Sequence, residues 1–496
     1  MNKNYNLKKI LESVLVFTVP FIIFLFLEFN PNNPYFSGYD SYYHIGMAES
    51  IWENGLPFKF PSLYFTVLNE NFVESHLLFH LLLIPFILVF GNIVGPKIFI
   101  ALCAGGIFLL AYLILRFFSK KTAFLSTALV FFLLPSDFYF RLAFIRNPAP
   151  SLLFLLLVFY LMIHKKYKLL IAASFFYGWL YMGGGFLFLI GLAIIYAFSN
   201  FIIKGQVDKK LLFYPILGTG LSLLINPYFP TNINLFIVQV WKTGLQAKEY
   251  VGGEWRPYDT WFWFSLCIVP LSIWGIGVIN ALATRKKVGS VNLSIFLYSA
   301  FLLAAQLKSK RFVEYWPLWA SLSGFALIGS DLQIWLKNFR KSIFILVSTL
   351  LFILFSFFYA KNQWQTAFDD TTSDFEVNLA AKAHEYIKKN SDPGDIIFTD
   401  DWDVFPLYFY LNRKNYYIVG LDPEFMNQFD RNLYLEYAQI SSGDDPDNLE
   451  RIKDVFKSKW VLVNRDHPEF RSNLLARKDL FSEVYNNGEY FVFKIK

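Results

Sequence analysis

Long apolar runs recur along most of this chain, and they limit the folds open to it. They lie near residues 10–29, 95–117, 121–136, 148–164, 168–182, 184–203, 210–226, 260–282, 291–306, 311–330 and 341–360. A membrane-spanning helix needs roughly 20 mostly apolar residues. The chain has 496 residues, of which 58 are Phe; it is 55% hydrophobic and only 17% charged, with a mean hydropathy of +0.39. A soluble domain does not carry so much apolar sequence. The expected fold is a polytopic α-helical membrane protein of about 11–13 transmembrane helices, followed by a small C-terminal α/β domain.

Basic clusters set the expected orientation, because cytoplasmic loops are rich in Lys and Arg. With the N-terminus inside, the clusters Lys120-Lys121, Lys165-Lys166-Lys168, Lys204/Lys209-Lys210, Arg285-Lys286-Lys287 and Lys337/Arg340-Lys341 all fall inside. The net charge of +7 is then an orientation signal and not a nucleic-acid footprint. Lys3, Lys8 and Lys9 precede the first apolar run with no small-residue cleavage site after it, which predicts an uncleaved first span. Residues 76–90 are apolar but short, and end at Gly91. Counted as a full span they would invert every later loop, so they are expected to form an interfacial or re-entrant helix on the outer face. Cys103 and Cys267 both sit in apolar runs, which argues against a disulfide framework.

Three outer segments follow from this scheme: 30–94, 137–147 and 227–259. Residues 1–360 form the expected membrane domain. Composition turns polar after Lys361, so 361–496 is expected to be a soluble extracytoplasmic domain. In it, 374–390 reads as an amphipathic helix and 395–399, 415–419, 459–464 and 488–495 as strands.

Polar groups on the outer segments are the candidates for chemistry. Asp40, in Gly38-Tyr39-Asp40-Ser41-Tyr42-Tyr43-His44, is a carboxylate at the membrane surface, where it can bind a divalent ion or accept a proton. Buried or interfacial carboxylates are expensive, and taken alone Asp40 reads equally as functional or as an ordinary surface carboxylate. Tyr43 reads equally as an interfacial aromatic. Glu249 precedes the run at 260 and reads either as a partner of Asp40 or as a solvated loop residue. Lys310 and Arg311 lie in a basic outer turn that breaks the positive-inside pattern. Such cations suit a phosphate at the lipid surface, which arginine binds bidentately, or else they anchor the turn among headgroups by snorkelling. Arg141 and Arg146 could meet the same phosphate. Asp401, Trp402 and Asp403 offer an indole beside carboxylates, a platform for peptide or sugar, or else a loop that caps the following helix. His76 and His80 are one helical turn apart on one face. With His44 they are potential metal ligands, though hydrogen-bonding or interfacial roles suit them better.

Together these segments resemble the GT-C membrane glycosyltransferases, and most closely the oligosaccharyltransferase catalytic subunits (the eukaryotic STT three subunit and its bacterial and archaeal counterparts). Gly38 to His44 sits where that family has its first-loop catalytic aspartate. Pro135-Ser136 to Arg141 resembles its second outer loop, and Lys248-Glu249-Tyr250 through Trp255 the long loop whose glutamate closes over the site. Asp401-Trp402-Asp403-Val404-Phe405-Pro406 resembles the signature that reads the acceptor, and Arg311-Phe312-Val313-Glu314-Tyr315 an arginine motif near the lipid phosphate. Two departures stand out. The family's second loop carries an acidic pair for its metal, whereas this chain reads Arg146-Asn147-Pro148 there. The acceptor signature also lacks its Tyr-Gly ending.

The resemblance implies transfer of a sugar or oligosaccharide from a polyprenyl-phosphate or polyprenyl-pyrophosphate donor to an acceptor, chiefly protein, on the outer face of the plasma membrane. Asp40 would be catalytic or bind Mn or Mg, with Glu249 assisting. Arg311, Lys310, Arg141 and Arg146 would hold donor phosphate, and Trp402, Asp403 and Asp401 the acceptor. Transfer of one sugar to a lipid or glycan is the nearest alternative. A transporter or flippase is another, for which ionisable groups near the bilayer midplane would be expected.

Overall fold

The computed structural model describes residues 3–237, 253–285, 287–338, 343–371 and 377–496. Glu249, the expected partner of Asp40, lies outside the described residues, as do Lys286, Arg340 and Lys341. Each expected apolar run contains a helix: Lys3–Glu28, Leu77–Phe118, Ala123–Leu133, Pro148–Ile163, Tyr167–Leu180, Phe186–Lys204, Lys209–Leu224, Thr260–Ala283, Ser290–Lys308, Trp316–Ile328 and Ile343–Asp370. Among the described residues, five helices are long and apolar enough to cross a membrane. A sixth arises if the bent pair Ala123–Leu133 and Ser136–Leu142 is one span. Apolar side chains such as Phe26, Val89, Trp261, Leu282 and Phe357 are exposed on these helices, as a lipid-facing surface requires.

Several boundaries differ from the sequence reading for local reasons. Leu77–Phe118 is formally 42 residues, but Gly91 breaks it with φ +82°. The two arms fold back on each other there. A Cβ on Gly95 would lie 2.2 Å from the carbonyl oxygen of Phe86, and the rings of Phe79 and Phe86 stand 5.9 and 5.3 Å from Phe99. The run expected at 121–136 ends at Leu133, and the short helix Ser136–Leu142 turns away by 88°. Pro135, extended at φ −71° and ψ 155°, makes that corner. The expected span 311–330 starts as a helix only at Trp316, after a 3₁₀ turn Lys310–Glu314.

The C-terminal segment builds a five-stranded sheet, β1 (Ile396–Thr399), β2 (Tyr416–Tyr417), β3 (Ser458–Asn464), β4 (Phe481–Asn486) and β5 (Tyr490–Ile495), in the order β2-β1-β3-β5-β4. β1 pairs in parallel with β2 and β3, while β5 is antiparallel to β3 and β4. β4 was not anticipated. It is an edge strand whose register shifts between Glu483 and Tyr485, so its sequence shows no clean alternation. Phe398, Phe456, Phe470 and Phe493 fill the core between this sheet and its helices.

Two contacts hold the sheet over the helix that carries Asp40. Helix Asp40–Asn54 packs on Phe405–Leu411, closely enough that a Cβ on Gly46 would meet the Phe409 ring at 3.3 Å. The loop before Leu77 also extends the sheet: Tyr64 N–H donates to the Tyr417 carbonyl at 2.9 Å, and Tyr417 N–H to that of Ser62 at 2.8 Å.

Candidate functional site

A cavity of about 520 Å³ lies where these elements meet, within the usual range for a small-molecule site. Its wall takes Asp40, Tyr43, His44 and His76 from one side, Arg146 and Arg311 from another, and Trp402 and Asp403 from below the sheet.

Asp40 is placed by its own sequence. Gly38 has φ +69°, and a Cβ there would lie 2.9 Å from the Phe144 ring, so only glycine allows this approach. The chain then enters a helix with Asp40 in its first turn, where a negative charge favours the helix. Ser41 Oγ donates to the Ser37 carbonyl at 2.7 Å and accepts from Ile145 N–H at 3.0 Å. That staple brings the turn bearing Arg146 to Asp40, and Arg146 Nη1 lies 3.1 Å from Asp40 Oδ2.

Arg146 belongs to a network of three guanidinium groups and three carboxylates. Arg141 reaches Glu254 at 2.8 Å and Glu314 at 2.7 Å. Arg146 donates to Glu314 and lies 3.6 Å from Glu254. Arg311 meets Glu254 at 2.8 Å and stacks on Trp255 with 4.6 Å to the ring centroid. Glu254 thus takes cations from three separate elements. Burial alone would raise its pKa, but Arg311, Arg146 and Arg141 together hold the carboxyl well below the usual range. The Nε of buried Arg146 has no hydrogen-bond partner among the described residues, which leaves one donor in reserve. Ser309 Oγ donates to the Glu254 carbonyl at 2.9 Å and Lys310 N–H to the Arg256 carbonyl at 3.0 Å. These two bonds tie the Glu254 turn to the arginine turn.

The remaining candidates divide. Lys310 Nζ stands 5.6 Å from the Tyr258 ring centroid, and Arg141 lies behind the wall. Asp401 accepts the Asp403 N–H at 2.9 Å, so it shapes the loop. Asp403 faces the cavity. Desolvation, with the charges of Asp40, Asp401 and Glu254, raises its pKa to about 7. Asp422, at the same wall, is raised to about 6 by burial and by Glu424. His80 is fully buried. The sequence reading gave no role to Glu74, Glu254, Glu314 or Asp422. Glu314 had one legible signal, a carboxylate within an apolar stretch three residues after Arg311.

The described donors do not fit a divalent ion. Among the described residues, no three His, Cys, Asp or Glu side chains are placed to share one, and the Asp40 carboxylate faces a guanidinium. His44 and His80 turn ring nitrogens toward each other at 2.8 Å, a hydrogen-bond geometry and not two lone pairs aimed at one point.

The fold is a bundle of apolar helices carrying a small C-terminal sheet, and the protein is an integral membrane protein. The structure is similar to that of the oligosaccharyltransferase from Archaeoglobus fulgidus in its apo form, with a TM-score of 0.66 at 13% identity over 98% of this chain and 74% of that one. An oligosaccharyltransferase from the same organism in complex with an inhibitory peptide and a dolichol-phosphate gives 0.63 at 12% identity, over 91% and 69%, and the enzyme of the apo structure in complex with zinc and sulfate 0.59 at 12%, over 97% and 73%. It is also similar to ArnT from Cupriavidus metallidurans bound to undecaprenyl phosphate, with a TM-score of 0.59 at 12% identity over 97% of both chains. No family profile and no curated protein matches the sequence.

Proposed function

We propose that this protein is a membrane glycosyltransferase that moves a sugar or oligosaccharide from a polyprenyl-(pyro)phosphate donor to an acceptor. The observation that carries the reading is one cavity lined by Asp40, by Arg146 and Arg311, and by Trp402 and Asp403. The neighbours' polyprenyl phosphate ligands support the donor class. The basic clusters support a cytoplasmic N-terminus in the plasma membrane. They leave the cavity and residues 361–496 on the extracytoplasmic side of the membrane domain 1–360.

In the proposed step, the acceptor nucleophile bonds to the anomeric carbon while the bond from that carbon to the phosphate oxygen breaks. The electron pair leaves on the phosphate and the nucleophile's proton goes to a base. Arg311 binds the phosphate directly, and Arg146 and Arg141 stabilise the charge developing on it, so that fixed guanidinium groups supply the positive potential. Asp40 engages the acceptor nucleophile. Trp402 and Asp403 form the acceptor side. A peptide acceptor is supported by the inhibitory peptide of the oligosaccharyltransferase complex. A second reading, transfer of one sugar to a lipid or glycan, is supported by the 97% mutual coverage with ArnT.

The test uses purified protein in lipid with labelled polyprenyl-linked donors, one monosaccharide and one oligosaccharide. Wild type and Asp40→Ala are compared with and without chelator. Label reaching acceptor or water in wild type and lost in the variant is expected, with resistance to chelator. Equal transfer by both proteins removes Asp40 from the mechanism. Loss of transfer on chelation, restored by Mn or Mg, refutes a guanidinium-only site. No transfer from a broad donor panel favours the transporter reading.

A further inference from the structure

A chain of buried polar side chains runs from behind the cavity wall to the cavity itself. Glu74 is 1% exposed. Its Oε1 lies 3.4 Å from Nδ1 of His80, an ion-pair distance without an aligned hydrogen bond, and accepts the His76 backbone N–H at 2.9 Å. Its Oε2 accepts the Tyr43 hydroxyl at 3.4 Å. His80 Nε2 is 2.8 Å from His44 Nδ1. His44 lines the cavity one helical turn after Asp40.

The tautomers follow from the ends of this chain. Glu74, held by two donors, is the acceptor, and its pKa is lowered: burial would raise it, but His80 and His76 prevail. The negative charge of a carboxylate 3.4 Å from His80 Nδ1 favours the proton on that nitrogen, which leaves His80 Nε2 as an acceptor. His44 Nδ1 must then donate to it. The remaining lone pair of His44 is on Nε2, the free end of the chain. A chain that served packing alone would end in a saturated group, and this one ends on a cavity-lining residue.

We infer that His44 is the general base for the acceptor nucleophile, held in its reactive tautomer by the positioning pair His80 and Glu74. This deepens the transferase reading and rests on it. Asp40 Oδ2 is engaged by Arg146, so Asp40 orients the nucleophile while the proton leaves to His44. As the nucleophile bonds to the anomeric carbon and the phosphate departs with the electron pair, the nucleophile's proton passes to His44 Nε2. The resulting imidazolium is stabilised by Glu74 acting across His80, as a buried carboxylate supports an imidazolium in a hydrolase triad. The titratable and charged groups around His44 are Tyr43 of its own helix, 5.4 Å between ring centroids, His76 at the end of the following loop and His80 on the next helix, at 5.1 and 5.0 Å, and Arg146 of the adjoining turn, with Glu74 behind His80 and Asp40 one helical turn earlier. Tyr181 stands behind His76, 5.8 Å between ring centroids. Burial, then His80, His76 and Arg146, holds His44 well below the ordinary imidazole range, so the ring is neutral near neutral pH and has a lone pair open to a proton.

Two measurements test this on the full chain in lipid. The first is carbethoxylation by diethyl pyrocarbonate, mapped by residue across pH, which needs no turnover. His44, 5% exposed where it lines the cavity, is expected to react, and His80, with no exposure, to stay protected. In Glu74→Gln, loss of the anion makes His44 harder to protonate, so its midpoint moves to lower pH. The second is the pH profile of label transfer. The acid limb should move down by the same amount in Glu74→Gln, and His44→Gln should lose about 10²–10⁴-fold in transfer. Polyprenyl phosphate binding by His44→Gln should stay within about twofold, which confirms a folded variant. Protected His44 with reactive His80 overturns the tautomer assignment. Wild-type transfer with an unshifted limb, or an active His44→Gln, overturns the base role alone. Absence of transfer in wild type sinks the transferase reading, and this role with it, whatever the labelling gives.

Discussion

Replacing Arg146 with methionine removes the cation that approaches Asp40, Glu254 and Glu314 together. Glu314 is 3% exposed, so the charge left behind is not rescued by water. Breaking a buried ion pair from one side destabilises by about 3–5 kcal/mol. Arg141 still covers Glu314 at 2.7 Å, which places the expected loss near the lower end, about 3 kcal/mol. Glu314→Gln in the Arg146→Met background removes the stranded charge and retains a side chain that can accept from Arg141. The double variant should therefore recover more than half of the loss, a coupling of about 2 kcal/mol. The assay is unfolding of wild type, both single variants and the double variant in the same lipid, followed by tryptophan fluorescence. Additive single effects, with coupling below about 0.5 kcal/mol, would refute the account. They would mean that water or relaxation compensates Glu314 without Arg146.

Three further expectations follow from the geometry. Glu254→Gln leaves three guanidinium groups with one fewer carboxylate, so binding of polyprenyl phosphate should tighten by about tenfold (1.4 kcal/mol) and weaken with salt; unchanged affinity by native mass spectrometry would separate Glu254 from the phosphate site. Asp403 is raised to about 7 in the folded chain against an unfolded value near 4. The folded state then binds the extra proton between those values, and stability falls as pH rises through that window. Asp403→Asn should remove this slope, by an amount reduced because Asp403 opens onto solvent in the cavity; identical pH profiles of the melting temperature would refute it. Finally, a Cβ on Gly324 would lie 2.3 Å from the Ile273 carbonyl oxygen, whereas one on Gly275 meets nothing within 4 Å. Gly324→Ala should cost about 1–3 kcal/mol by forcing the two helices apart, and Gly275→Ala should unfold like wild type; equal stability of the two would contradict the close crossing.

What the sequence alone determined is what depends on local composition and short spacing. Apolar runs became helices because the bilayer tolerates no unpaired backbone, and their approximate ends could be read from Lys, Pro and Gly. Gly91 was visible as the end of a short apolar arm. Four of the five strands were legible because buried strands carry β-branched and aromatic residues; β4 was hidden by its exposed edge and shifted register. The tertiary structure decided which charges meet. Arg141, Arg146 and Arg311 lie on three elements, and nothing near them in the chain says that they converge on Glu254. Glu74 reads as an ordinary loop glutamate until the fold buries it against His80. Asp401 and Asp403 look alike in sequence, but one caps a loop and the other faces the cavity. The physical reason is range. Helix formation is settled within a few turns of chain, whereas a charge's partner, hydration and proton affinity depend on groups brought together from up to hundreds of residues away.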